Sequence, residues 1–283
     1  MTYRTDLAME KEKFKDGSEI KGVEKTVRTS ARTRTTLIRV KTDEAARVTQ
    51  QPKGSYITVE MREFSGESEL FDERFREIKN AVLSLLPQGE GTVLVVGLGN
   101  ENITPDALGP ECVNSVFSTR HISSVLAENA GLGHLNSVCA VATGVLGQTG
   151  IETGEIIRGI TELVKPKAVI VIDALACSGI ERLCRTVQIT DTGIVPGSGV
   201  GNSRKEISRN TLGVPVIAIG VPTVIDAVTV AGECNAANNG LSGMMVTPRE
   251  IDSVIHRAAR LISLSVNSAL QPHIDPEILL GVV

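Results

Sequence analysis

Aromatic residues make up only 2% of this 283-residue sequence, and tryptophan is absent altogether. Little is therefore available to stack on nucleic-acid bases. A formal net charge of -4 points the same way, against a nucleic-acid binder. Cysteine is scarce and unpatterned. Cys112, Cys139, Cys177, Cys184 and Cys234 form no C-x-x-C pair, and no paired histidine spacing accompanies them. Neither a zinc site nor a disulfide framework is indicated, and the cysteines read as small buried hydrophobes in a reducing compartment. No apolar run approaches the roughly 18 residues that a membrane span needs. The opening stretch, MTYRTDLAMEKEK, is polar and charged, with no signal-peptide apolar core. These absences lead to the expectation of a soluble, cytoplasmic protein with no membrane or direct nucleic-acid partner.

What is present is aliphatic. With 41% hydrophobic residues and so few aromatics, the core must be built from Val, Ile, Leu and Ala, as buried parallel sheets usually are. Residues 1–15 carry many charges and little apolar periodicity, so this arm is expected to be exposed. Between Glu19 and Met61 the pattern is β-like. Thr35–Val40 and Ser55–Glu60 are separated by the turn-forming Pro52-Lys53-Gly54. Apolar residues at helical spacing from Leu70 to Leu85 predict a helix over 67–86, ended by Pro87 and Gly89. Strands are then expected at Val93–Val96, Val138–Ala142, Ala168–Ile172, Thr186–Ile189 and Val214–Ile219. Helices are expected at Asp106–Arg120 and Glu155–Val164. A last helix should be capped by Thr247, with Pro248 at its first position and Glu250 closing a capping box. Strands and helices in alternation predict an α/β fold. The sheet should be mostly parallel and doubly wound, flanked by helices, with a small β-rich extension at the N-terminus.

The stretch TVLVVGLGNENITPDALGP (Thr92 to Pro110) organises the functional reading. A buried strand runs into Gly97 and Gly99, and then Thr104, Pro105 and Asp106 read as the start of a helix. That places a carboxylate at the carboxyl edge of a central strand, where open α/β sheets bind ligands. Gly97-Leu98-Gly99-Asn100 is not a dinucleotide fingerprint, because Asn102 stands where the third glycine is needed. A second aspartate, Asp173, closes the run VIVIDALA. On the same sheet edge the two carboxylates could share one proton, activate a water and protonate a leaving group. An aspartate at a strand end also often does no more than cap the next helix. Spacing alone leaves both readings open.

Other residues are candidates for the pocket wall. Gly197 to Asn202 lacks the Gly-Lys-Ser/Thr of a P-loop and reads as a close-approach loop, contributing Gly199. Asp191, in Asp-Thr-Gly, occurs once in an α/β chain and reads as a loop or secondary site residue rather than a pepsin-type acid. Asp226 lies past another strand end and is a third acid for the rim. The possible pocket is thus Gly97, Gly99, Asn100, Asp191, Gly199 and Asp226. His121 reads as a helix C-terminal histidine favoured by the dipole. No cofactor and no metal site are assigned.

The strings VVGLGNENITPDALGP, STRH, TGVLGQTGIETGEI, VIVIDALA, VQITDTGIVPGSGVGNSRKEIS, TLGVPVIAIGVPTVIDAV and MVTPREID occur in this order. Together they resemble the spore germination protease family of endospore-forming bacteria. The resemblance implies an endopeptidase that degrades small acid-soluble spore proteins, located in the cytoplasm of the spore core and assembled as a homotetramer. It implies a fold similar to that of hydrogenase maturation proteases, and it places the family's two essential aspartates on Asp106 and Asp173. It also implies a zymogen that cleaves itself. Arg4-Thr5-Asp6-Leu7-Ala8 matches the processed motif, with the cut between Asp6 and Leu7. The chain then divides into a pro-segment (1–6), an arm with β-rich extension (7–66) and an α/β catalytic core (67–283). Two departures are a short pro-segment and only a brief stretch, AGECNAANNGLSG, between Val230 and Met244. Two alternatives remain. One is a metal-assisted peptidase related to the hydrogenase proteases, and the other is a non-catalytic small-molecule-binding α/β module.

Overall fold

In the computed structural model, residues 5–7, 10, 20–64, 70–200, 204–234 and 240–282 are described. The strands are β1 (Val23–Thr29), β2 (Thr33–Val40), β3 (Gly54–Met61), β4 (Val93–Gly97), β5 (Val138–Ala142), β6 (Ala168–Cys177), β7 (Thr186–Thr190), β8 (Val216–Asp226) and β9 (Met245–Val246). The helices that matter here are α1 (Asp43–Thr49), α2 (Glu73–Leu85), α3 (Leu108–Asn114), α4 (Ser124–Asn129), α5 (Thr153–Val164), α6 (Ala227–Glu233) and α7 (Ile251–Leu270).

Every residue of β4 is buried, and β6 is buried along nearly its whole length. Such strands tolerate no polar face, so both sides of the sheet must be covered. They form the parallel centre of one sheet in the order β1-β2-β3-β7-β8-β6-β4-β5. The pairs β5–β4, β4–β6 and β6–β8 are parallel, whereas β7 returns antiparallel to β8. β3 pairs antiparallel with β7, and β2 and β1 follow it. The N-terminal β-rich region therefore extends the main sheet. One face packs on α2, α3 and α7 through Phe75, Ile78, Leu108, Ile255, Leu261 and Ile262. The other packs on α5 through Val169, Val171 and Ile157. The expected α/β architecture, a parallel core flanked by helices with an N-terminal β-rich extension, is the one observed, and the extension joins the core through antiparallel pairs.

Three local expectations are corrected. α3 stops at Asn114 instead of running to Arg120, because a buried side chain on α7 captures its continuation. Asn267 Oδ1 accepts from the Phe117 amide at 2.9 Å, and its Nδ2 donates to the Ser115 carbonyl at 2.9 Å. His121 is consequently an exposed turn residue and not a helix-terminal one. α7 starts at Ile251 with no side-chain cap. Thr247 does not cap it, since its hydroxyl donates to the Thr223 carbonyl at 2.8 Å. Finally, Asp173 lies within β6 and not at its end. β8 continues alongside and pairs with β6 as far as Cys177.

That prolonged β6–β8 ladder shapes the site. Leu175 pairs with Pro222 and Ala176 with Val224, so Thr223 is an extra residue in β8. Proline has no N–H for the ladder and is tolerated inside sheets at such bulges. On its other flank β6 outlasts β4, whose last partner pair is Gly97 with Ile172. Beyond Ile172 that edge of β6 is open to another segment.

Candidate active site

A cavity of about 410 Å³ opens at this edge, lined among others by Asp106, Asp173, Gly99, Arg204, Thr223 and Thr247. Asp106 sits on a single 3-10 turn, Thr104–Asp106, between β4 and α3. Gly99 has φ +111, and a β-carbon there would come within 2.0 Å of the Asp106 carbonyl oxygen. Only glycine permits that approach. The next amide, Asn100 N–H, donates to Asp106 Oδ2 at 2.8 Å. The Asn100 side chain is itself held, accepting from Gln148 Nε2 at 2.7 Å. From the opposite side Thr223 Oγ1 donates to the Pro105 carbonyl at 2.7 Å. The β8 bulge thus presses on the turn that carries the carboxylate.

Asp173 is buried and its Oδ1 accepts from the Ala174 amide at 2.9 Å. Burial pushes its carboxyl well above the usual carboxylate range, and the negative charges of Asp106 and Asp6 push it further. Asp106 is raised as well, chiefly by burial, while the Asn100 N–H and the Arg204 charge pull it down. The two acids therefore face unlike environments. Burial and like charge favour the protonated form more strongly at Asp173, while an amide donor and the Arg204 charge favour the ionised form at Asp106.

The third acid comes from the N-terminal arm. Asp6 adds to the open edge of β6. Its amide donates to the Ala176 carbonyl at 3.0 Å, and the Ala176 amide donates to Asp6 Oδ2 at 2.9 Å. Ser198 Oγ donates to Asp6 Oδ1, and Gln188 Nε2 donates to the Asp6 carbonyl at 3.3 Å. Gly199 makes room, since a β-carbon there would lie 2.2 Å from Asp6 Oδ2. Leu7 is fully buried against Leu175, Cys177 and Ile225, a contact that stabilises docking by about 2 kcal/mol. Glu10 is buried too. The expectation of an exposed arm is thus corrected at Leu7 and Glu10. An apolar side chain beside paired acids finds an unfilled strand edge and its neighbouring pocket. Arg4, Ala8 and the rest of residues 1–4, 8–9 and 11–19 lie outside the described residues.

Of the remaining candidates, Gly99, Asp106 and Asp173 line the cavity. Gly97 packs against Gly109 of α3, where a β-carbon would meet the Gly109 carbonyl oxygen at 2.2 Å. Asp191 accepts from the Ser55 amide at 2.7 Å and ties β7 to β3. Asp226 caps α6, accepting from the Val228 amide at 2.8 Å. Sequence reasoning missed Gln188, Ser198, Arg204 and Thr223. For Thr223 a signal existed, because Val-Pro-Thr inside a buried strand marks a bulge. Among the described residues no group of three or more His, Cys, Asp or Glu is placed to hold a metal ion. None of their helices is long and apolar enough to cross a membrane.

The family model described as "Germination protease" matches residues 3–236. A germination protease of Clostridium perfringens strain 13 is 40% identical over 314 aligned residues, covering 95% of each chain. One of Bacillus velezensis is 46% identical, over 81% of this chain and 65% of its own length. Among solved structures, the [NiFe] hydrogenase maturation protease HycI from Thermococcus kodakarensis aligns with TM-score 0.40 and 18% identity, over 67% of this chain and 97% of its own. On the extent of the family match and the identity to its members over nearly full length, this chain belongs to the germination protease family.

Proposed function

We propose that the protein is an aspartate-dependent endopeptidase of germinating spores, made as a zymogen whose arm occupies its own active site. Its substrates are small acid-soluble spore proteins, met in the spore core, and it acts as a homotetramer, as the family resemblance implies. The observation that carries the reading is the docking of Asp6-Leu7 against the cavity that Asp106 and Asp173 line. The arm adds to a sheet edge through main-chain hydrogen bonds, as substrates of many peptide-binding proteins do. Gln188 polarises the carbonyl of Asp6, the one belonging to the bond that would be cut. In this mechanism Asp106 as carboxylate takes a proton from water, which attacks that carbonyl. Asp173 as carboxylic acid donates its proton to the leaving nitrogen.

The acid pair also supports why the bound arm stays uncut. Asp6, Asp106 and Asp173 bring three carboxyl groups to one partly buried place, opposed by the single cation Arg204 among the charged residues that line the cavity. Acidification relieves that repulsion, so processing should be promoted by a drop in pH.

Asp106→Asn and Asp173→Asn are expected each to lower turnover of a spore-protein substrate at least ~1,000-fold with the fold intact. Asp191→Asn should change it less than ~3-fold, since Asp191 only ties two strands together. Retention of near wild-type turnover by either of the first two variants would overturn the dyad. A metal-assisted route predicts instead that exhaustive chelation removes bound metal and activity together.

A further inference from the structure

Among the described residues that line the cavity, Arg204 is the one positive charge, and no proton transfer requires it. Its place is fixed by the backbone. Ile194 and Ile207 exchange two hydrogen bonds, at 2.9 and 2.8 Å, and within that closed loop the Arg204 amide donates to the Pro196 carbonyl at 3.2 Å. Ile207 is buried in the cluster that includes Ile157 of α5, and Lys205 pairs with Glu155 of the same helix at 3.1 Å. The Arg204 side chain is half-buried. Among the described residues no hydrogen bond or ion pair engages its guanidinium. Its charge nevertheless reaches both acids, favouring the ionised form of Asp106 and of Asp173. A guanidinium clamped on Asp106 would be the ordinary arrangement, and it would disable the site. The Asn100 amide already holds Oδ2, so a second donor on Oδ1 would leave no oxygen to take a proton from water. Held off, the same charge acts through space and leaves the carboxylate free.

We propose that Arg204 is a positioning residue whose fixed charge keeps the Asp106–Asp173 pair singly ionised over the enzyme's working range. The inference rests on the reading of these two aspartates as the catalytic pair. Among the described residues, three acids line the cavity, Asp6, Asp106 and Asp173, and no second cation offsets them. The other elements contribute neutral polar groups there, Thr153 of α5, Thr223 of β8 and Thr247. Lys205 is paired with Glu155, and Glu206 lines the neighbouring cavity and not this one. With no opposing charge, two carboxyls so placed would both keep their protons toward neutral pH, and neither could act as a base. One cation admits one negative charge. Asp106, which has the amide donor as well, receives it. The pair then enters the reaction as one base and one acid.

The test compares wild type, Arg204→Gln and Arg204→Lys in their processed form, with a small acid-soluble spore protein as substrate. Removing the cation makes both acids harder to ionise. Both limbs of the bell in kcat/KM against pH belong to this pair, so both move to higher pH. Arg204→Gln is expected to displace the bell upward by at least ~0.5 pH unit. The loss of rate is then deepest on the acid side and shrinks as pH rises. Arg204→Lys restores the charge without the guanidinium's fork, and should return the bell to within ~0.2 pH unit of wild type. A bell lowered evenly at every pH, with no displacement, would overturn the proposal. A displacement as large with lysine as with glutamine would assign the effect to loop geometry and overturn it too. If Arg204→Gln does not fold, Arg204→Met takes its place. Infrared difference spectra of the carboxyl stretch, taken against Asp106→Asn, follow the Asp106 proton with no substrate present. They should show Asp106 ionising at higher pH in Arg204→Gln than in wild type, and an unchanged titration would count against Arg204. Wild type that left the spore protein uncut would sink the protease reading, while the infrared titration would still decide what Arg204 does.

Discussion

At the scale of single residues, the difference between the two aspartates of the cavity comes from their surroundings. Asp106 has an amide donor and a cation to favour its charge, whereas Asp173 has burial and two acidic neighbours against it. A carboxyl whose folded pKa is raised destabilises the protein as pH rises. In the unfolded chain an aspartate ionises near ~3.9, while in the fold Asp173 keeps its proton to higher pH. Across the interval unfolding releases a proton, so stability falls from about pH 4 upward until the folded carboxyl ionises too. Asp173→Asn keeps the shape and removes the titration. Its Tm should exceed wild type by ~2–4 °C at pH 7 and match it near pH 4. A lower Tm at pH 7 would show that the carboxyl is not held against its preference. The same variant should be inactive, a trade of stability for function that is usual at strained sites.

At the scale of elements, a bulge in β8 connects sheet and chemistry. Pro222 cannot donate, the register slips, and Thr223 is released from the ladder to reach the Pro105 carbonyl while its own carbonyl receives Thr247. Thr223 touches no reacting atom. It positions the 3-10 turn of Asp106, and Thr223→Val should lower kcat ~10-fold with KM within ~2-fold, since a loosened turn weakens transition-state geometry more than binding. Equal changes in kcat and KM would show a role in binding. Most of the elements were legible beforehand because their strands are aliphatic runs between turn residues. β5 was read to the residue and β4 almost so. What escaped were ends decided at a distance. Asn267 halts α3 from 150 residues away, and the grip of Ser178 on Glu10 spans 168 residues. Asp106 and Asp173 were found because each follows or ends an aliphatic run that can be read locally. Gln188 and Arg204 lie on segments whose own pattern announces no site. α1 was missed because its short run, Asp43 to Thr49, carries too few apolar positions to show a period.

At the scale of the whole molecule, the arm and the cavity lined by Asp106 and Asp173 belong to one chain, and the contacts that join them are intramolecular. The Asp6 backbone pairs with Ala176, Leu7 is fully buried, and the Glu10 carboxylate is enclosed. An arm held in this way is not offered to a neighbour's active site. Self-processing should therefore be first order, with a half-time that stays constant when protein concentration is varied ~100-fold. Lowering the pH should shorten that half-time at every concentration, because it lessens the negative charge gathered around the bound arm and requires no second molecule. Intact-mass measurement after a pH drop reads the loss of residues 1–6. A mixture of wild type with an excess of mass-labelled Asp173→Asn protein separates the two routes further. Only the unlabelled chain should be shortened while the labelled one keeps its arm. A half-time that falls in proportion to concentration, together with trimming of the labelled chain, would show that the arm leaves its own cleft to be cut by a neighbour. Equal trimming of Asp173→Asn protein kept alone would assign the cut to an outside protease.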